Sequence, residues 1–133
     1  MTSEYTLLIK EAHLDTFGHV NNATYLQIYE EARWDLITKN GYGLKQVQEH
    51  KQGPVIMEVN LKFMKELKLR ETIKVTTSMV DYSGKVGHLK QQMIKENGEL
   101  ASEAIFTFAL FDLAARKLIE PTDAWKKAIG WQG

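Results

Sequence analysis

Between His13 and Arg33 the chain reads HLDTFGHVNNATYLQIYEEAR. Asp15, His19, Gly18 and the adjacent Asn21 and Asn22 crowd together just ahead of residues with helical spacing. One reading of this stretch is local: Asp15 is a turn residue bonding nearby amides, Gly18 takes a positive φ, and His19 bonds a carbonyl. The other is chemical. A helix start presents unpaired N–H groups and partial positive charge, a ready seat for an oxyanion or polarised carbonyl. If the loop folds over that end, Asp15 faces the same point. A carboxylate opposite an oxyanion site is a minimal acyl-transfer device, in which the acid attacks the carbonyl or activates water. Thioesters suit it better than amides, because a thiolate leaves without a strong general acid.

The elements that must position these groups can be read from apolar spacing. From Ala23 to Lys39, Tyr25, Tyr29, Ala32 and Leu36 recur at intervals of three and four, flanked by Leu26, Ile28, Arg33 and Ile37. This predicts one buried face of an amphipathic helix. Asn22 is the expected N-cap, and Asn40-Gly41 the stop. Glu30 and Arg33 are expected to form an i, i+3 ion pair on its surface.

Around this helix the chain alternates. Tyr5 to Glu11 is a short candidate strand. In Val55 to Met64, the side chains of Val55, Met57, Val59, Leu61 and Phe63 are expected on one face. Glu71 to Tyr82 and Lys85 to Lys95 form a hairpin about Ser83-Gly84, and Asn97-Gly98 signals a second turn. Leu100 to Phe111, the most apolar run, is expected to be central and covered on both faces. Pro121-Thr122-Asp123 opens a short terminal helix holding Trp125. The order implies an α+β domain spanning 1–133, with a long helix against an antiparallel sheet. Its open strand edges argue for dimerisation.

Composition narrows the function classes. Seventeen basic and seventeen acidic residues cancel, so no field draws nucleic acid or an anionic membrane. No window approaches the ~20 apolar residues of a membrane span, and the N-terminal residues lack the pattern of a signal peptide. Cysteine is absent, which excludes a thiol nucleophile and thiolate metal sites and fits a cytoplasmic protein. There is no G-x-S-x-G elbow, P-loop, dinucleotide fingerprint or H-E-x-x-H pair. Neither a metal nor another cofactor is expected.

The run D-x-F-G-H-V-N-N-x-x-Y-L-x-x-Y-E-E-A-R, Asp15 to Arg33, covers about one-seventh of the chain. It closely resembles the signature of hot-dog-fold thioesterases of the 4-hydroxybenzoyl-CoA and short-chain acyl-CoA thioesterase family. The resemblance implies a hot-dog fold and an acyl-CoA thioesterase. It makes Asp15 the catalytic nucleophile or general base, and the backbone N–H of Asn22 the group that polarises the carbonyl. Tyr25 would line or, preferably, pack beneath the acyl pocket. His19 and Asn21 would shape the loop or assist water, and Phe17 would touch the acyl group. In the family, basic residues near a hairpin hold the CoA phosphates, and Lys85 is the match here, helped by His88 or Lys90. A homodimer or homotetramer is implied, with pocket walls such as Met57, Val59 or Met79 supplied across the interface. The alternatives are an acyl-ACP thioesterase and a non-catalytic acyl-CoA-binding module. The histidine motifs of hot-dog dehydratases are missing.

Overall fold

The computed structural model describes residues 2–133. After strand β1 (Thr2–Leu8) and a short 3-10 turn at Glu11–His13, the chain enters helix α1 (Asn22–Lys39) and helix α2 (Leu44–His50). Strands β2 (Gln52–Phe63), β3 (Thr72–Ser83), β4 (Val86–Lys95), β5 (Leu100–Asp112) and β6 (Lys117–Ile119) follow, then helix α3 (Asp123–Ile129). The strands form one antiparallel sheet in the order β1-β3-β4-β5-β2, with β6 paired to β5.

Eighteen residues make α1 about 27 Å long, enough to run the length of the sheet. Its buried side chains are Tyr25, Ile28, Tyr29, Ala32 and Ile37. They meet the even-numbered residues of β5, among them Phe106, whose ring lies edge-on to Tyr29 at 5.9 Å. A polar cluster pins the contact. Tyr29 donates to Ser102 Oγ at 2.8 Å, and the fully buried Gln91 donates to the Tyr29 carbonyl at 3.1 Å and Thr77 Oγ1 at 3.0 Å. α3 closes the far end: Thr122 caps it by accepting from Trp125 N–H, and the Trp125 ring packs edge-on to Phe108 and Tyr42.

Five expectations change. The first strand stops at Leu8, because the chain then turns to pair Ile9 with the Arg70–Glu71 backbone. The N-cap of α1 is Asn21, not Asn22: the Asn21 side chain accepts from Ala23 N–H at 2.9 Å, and Asn22 is the first helical residue. Glu30 and Arg33 do not pair. Arg33 turns under the helix, where Nη1 donates to Gln91 Oε1 at 2.9 Å and the guanidinium lies 4.3 Å from the Phe106 ring centre. In β2, a bulge between Ile56 and Glu58 shifts the register. Val59, Leu61 and Phe63 oppose Phe106, Ala104 and Ser102 on the helix side, but before the bulge it is Pro54 and Ile56, opposite Leu110 and Phe108, that share that side. One extra residue flips the alternation. Finally, β5 is interior to the sheet but its outer face is only partly covered: Ile105 and Thr107 are half-buried there, while Ala101 and Ala109 are fully buried.

Candidate active site

The loop ahead of α1 is built from short-range bonds. Asp15 N–H donates to the His19 carbonyl at 3.0 Å, and Gly18 N–H to the Asp15 carbonyl at 3.2 Å. Gly18 sits at φ +85°, a conformation that L side chains rarely adopt. Phe17 N–H donates to Asp15 Oδ1 at 2.9 Å, an Asx turn. The local reading of Asp15 is therefore present, but it occupies only one oxygen. Oδ2 lies 3.8 Å from His19 Nδ1, too far for a hydrogen bond, and among the described residues it has no other hydrogen-bond partner.

Long-range bonds then fold this loop onto the helix start. Val20 N–H donates to the Leu67 carbonyl at 2.9 Å, Asn21 N–H to the His13 carbonyl at 3.1 Å, and His19 bridges to Lys68. The result is an open cleft of about 440 Å³ lined by Asp15, Phe17, His19, Asn22 and Tyr25, with Phe63, Met64, Lys65 and Glu66 opposite. Asn22 is at the first helical position, where its N–H has no acceptor within the helix. The Asn21 cap takes the Ala23 amide and leaves that of Asn22 alone. An acid and an uncommitted helix-start donor thus line one cavity.

The remaining predicted residues divide. Tyr25 is almost fully buried, its ring edge-on to Phe63 at 4.9 Å. Burial, reinforced by the Glu66 and Glu71 carboxylates, pushes its phenol upward, so it is neutral near pH 7. Phe17 stands at the mouth, 83% exposed, its ring stacked on His19 at 5.9 Å. Asn21 acts through the cap and does not line the cleft. Lys85 does not line it either. It lies in the β3–β4 turn, whereas the Asp15 loop is tied to Leu67 and Lys68, next to the opposite end of that hairpin. The cation in the cleft wall is Lys65, 3.5 Å from Glu99. Sequence reasoning missed Phe63 to Glu66 because only the Val20–Leu67 bond brings that segment to the loop. No group of three or more acidic, histidine or cysteine side chains is arranged to hold a metal among the described residues. Nor is any helix there long and apolar enough to cross a membrane.

Comparisons with known proteins place the chain in a family. The family described as the thioesterase-like superfamily matches residues 10–129. The long-chain acyl-CoA thioesterase FadM of Escherichia coli (strain K12) is 31% identical over 112 residues, covering 84% of each chain. The structure of the YbaW probable thioesterase of Escherichia coli superposes with a TM-score of 0.84 at 26% identity, over 96% of both chains. That of SAV2348 from Staphylococcus aureus, determined in complex with CoA, gives 0.90 at 22% identity, over 98% of this chain and 82% of the other. With its six-stranded antiparallel sheet wrapped on one long helix, the chain belongs to the thioesterase-like superfamily as a hot-dog-fold thioester hydrolase of the acyl-CoA thioesterase family.

Proposed function

We propose that the chain hydrolyses acyl-CoA to free acid and CoA, with Asp15 as the reacting carboxylate and the Asn22 backbone N–H as the donor to the carbonyl oxygen. One observation carries this reading: Asp15 and Asn22 line the same cleft. The Phe17 amide holds Oδ1 and fixes the carboxylate plane, leaving Oδ2 to act. As nucleophile, Oδ2 adds to the carbonyl carbon, the thiolate leaves, and water hydrolyses the mixed anhydride. As general base, it takes a proton from the water that adds. In either route negative charge gathers on the carbonyl oxygen, where a helix-start amide stabilises it. CoA as the carrier is supported by the CoA complex of SAV2348 and the name of FadM.

A homodimer completes the proposal. β2 is twelve residues long and pairs on only one side, and Ile56, Met57 and Phe63 along it are each two-fifths or more exposed. A long, apolar, unpaired edge is a template for a second chain. Antiparallel pairing of β2 with its symmetry mate sets the Phe63 end of one strand beside the Gln52 end of the other. That second end shares its side of the sheet with the β3–β4 turn, since Val55 and Val86 both oppose Ala109. Lys85 of the partner subunit then lies toward the cleft's end of the sheet, where it is the candidate to meet CoA phosphates.

Asp15→Asn and Asp15→Ala test the reading. Both are expected to keep the native circular dichroism and to lose a factor of about 10² to 10⁴ in thiol release from acyl-CoA. Wild-type turnover in either would refute it. In a single turnover in heavy-oxygen water, label in the Asp15 carboxyl identifies the nucleophilic route with water adding to the Asp15 carbonyl of the anhydride, and trapping the anhydride with hydroxylamine detects that route when water adds to the other carbonyl.

A further inference from the structure

Tyr25 is 4% exposed, yet among the described residues its hydroxyl has no hydrogen-bond partner. A buried tyrosine hydroxyl ordinarily finds one, because going without costs about 1–3 kcal/mol. Tyr5 donates to Glu31, Tyr29 to Ser102 Oγ and Tyr42 to the Gln52 carbonyl. Among the described residues, the polar side-chain atoms shut off from solvent without a partner are Tyr82 Oη and Trp125 Nε1. The Tyr25 hydroxyl is not shut off. It opens on a cavity, and the cavity its side chain lines is the Asp15 cleft. A second cavity along α1, about 140 Å³ beside Ile56 and Trp125, does not include it.

The helix sets where that hydroxyl lies. Cα–Cβ bonds of an α-helix tilt toward its N-terminus, and a long side chain covers the turn three to four residues before its own Cα. For Tyr25 this is the turn of Asn21 and Asn22, and the Asn22 amide is the helix-start donor without an acceptor. Phe63, edge-on at 4.9 Å, holds the ring toward the opposite wall. Glu66 in that wall is near enough to push the phenol upward. Tyr25 and Asp15 line one cleft without bonding each other, which leaves room between them for a reacting group.

Acidity decides what the hydroxyl can do there. Burial keeps the phenol protonated near pH 7. A thiolate is a weaker base than a phenolate, so the departing CoA does not take its proton. What remains is a fixed hydrogen bond to an oxygen that gathers negative charge. The Asn22 amide is a single such donor, and an oxyanion has room for a second; tyrosine serves in that role elsewhere.

We propose that the Tyr25 hydroxyl is a second oxyanion donor, hydrogen-bonded to the thioester carbonyl oxygen beside the Asn22 N–H. Tyr25 is then a catalytic residue and not only a support beneath the acyl group. No proton leaves the phenol: the hydrogen bond strengthens as the C=O electrons move onto oxygen, and relaxes when the thiolate departs and the carbonyl re-forms. The proposal rests on the assignment of Asp15 and Asn22 to the reaction.

The test compares the wild-type protein, Tyr25→Phe and Asp15→Asn in thiol release from saturated acyl-CoAs, butyryl to palmitoyl, with a urea midpoint recorded for each protein. Tyr25→Phe keeps the ring and its contact with Phe63 and removes only the hydroxyl. It is expected to match or exceed the wild-type midpoint and to keep the wild-type KM. Its kcat is expected to fall about 10- to 100-fold, by a similar factor at every chain length, because the carbonyl is common to all the substrates. A residue that only walls the acyl pocket would instead show a loss that changes with length. The second measurement needs no turnover. A ketone analogue of lauroyl-CoA, with methylene in place of the thioester sulfur and carbon-13 at the carbonyl, is bound to each protein. Its carbonyl stretch is expected at lower frequency in the wild type than in Tyr25→Phe. Wild-type kcat in Tyr25→Phe, a loss confined to KM or varying with chain length, a lowered midpoint, or the same stretch in both proteins would overturn the proposal. An inactive Asp15→Asn would then still leave hydrolysis at Asp15 in place. Full activity of Asp15→Asn would overturn both.

Discussion

Gln91→Leu tests how α1 is held on the sheet. Gln91 is fully buried and joins three partners: it accepts from Arg33 Nη1 at 2.9 Å and donates to the Tyr29 carbonyl and to Thr77 Oγ1. Leucine preserves the volume and removes all three bonds. The Tyr29 carbonyl keeps its helical bond, and the Thr77 hydroxyl can rotate to another acceptor, so each neutral loss is about 0.5–1 kcal/mol. Arg33 is the larger matter. Burial lowers its pKa to about 10, against an opposing pull from Glu30, so it is charged at neutral pH. Removing its acceptor strands a half-desolvated cation, which costs about 1.5–3 kcal/mol. The sum is about 2.5–5 kcal/mol, a large share of the ~5–15 kcal/mol that holds a domain folded. Urea denaturation at fixed protein concentration, followed by tryptophan fluorescence, should show the midpoint falling by about 1.2–2.5 M, with the slope unchanged at an m near 2 kcal/mol/M. Arg33→Met combined with Gln91→Leu removes the stranded charge, so the double variant should be at least about 1 kcal/mol more stable than the sum of the single effects implies. Additivity within about 0.5 kcal/mol, or a Gln91→Leu protein within 1 kcal/mol of wild type, would refute the reasoning.

Two other outcomes are expected. Asn21→Ala removes the cap that sets the first turn of α1. It should lower stability by about 1 kcal/mol and, because the Asn22 amide then frays, reduce kcat about fivefold, with Asn21→Ser restoring both; calorimetry and thiol-release assays read the two effects. All five tyrosines have raised pKa values: the Tyr5 phenol, hydrogen-bonded to the Glu31 carboxylate, is raised to about 12, and burial is the largest cause for Tyr25, Tyr29, Tyr42 and Tyr82. The folded state therefore binds more protons than the unfolded chain above pH ~10, and this stability, complete below that pH, is lost as pH rises toward 12. Arg33, shifted downward, works in the opposite sense but is a single group. Phenolate absorbance should appear together with unfolding; titration of the native protein at pH 10 without unfolding would contradict this.

What the sequence made legible is what depends on near neighbours. The spacing of Tyr25, Tyr29 and Ala32 is enough to specify a helix with a buried face, and the Asn97-Gly98 and Ser83-Gly84 turns organise the hairpins. The placement of Asp15 near a helix start was legible for the same reason, since seven residues of loop cannot travel far. Where the reading slipped, a distant partner decided. Asn21 and Asn22 are equally able to cap, and the choice falls to Asn21 where the Val20–Leu67 and Asn21–His13 bonds fix the entry of the chain. Arg33 prefers Gln91, fifty-eight positions away, to Glu30 one turn back. The helix α2 has no apolar period to announce it and is set by Gly43, whose N–H donates to Gln46 Oε1 at 2.9 Å, and by Val47 packing over Gly53.

The bulge at Met57 reaches beyond the register it disturbs. Because the pleat is reset there, Phe63 and Ile56 both turn inward although an odd number of positions separates them. Each half of the strand is thus free to drift without dragging the other's side chains to the wrong side. Mutations upstream can reshape the cavity beside Ile56 while the cleft beside Phe63 keeps its geometry. Deleting that single residue would fuse the halves into one uninterrupted ribbon with Ile56 next to Glu58, leaving Pro54 and Ile56 on the helix side and the partners on β5 unchanged.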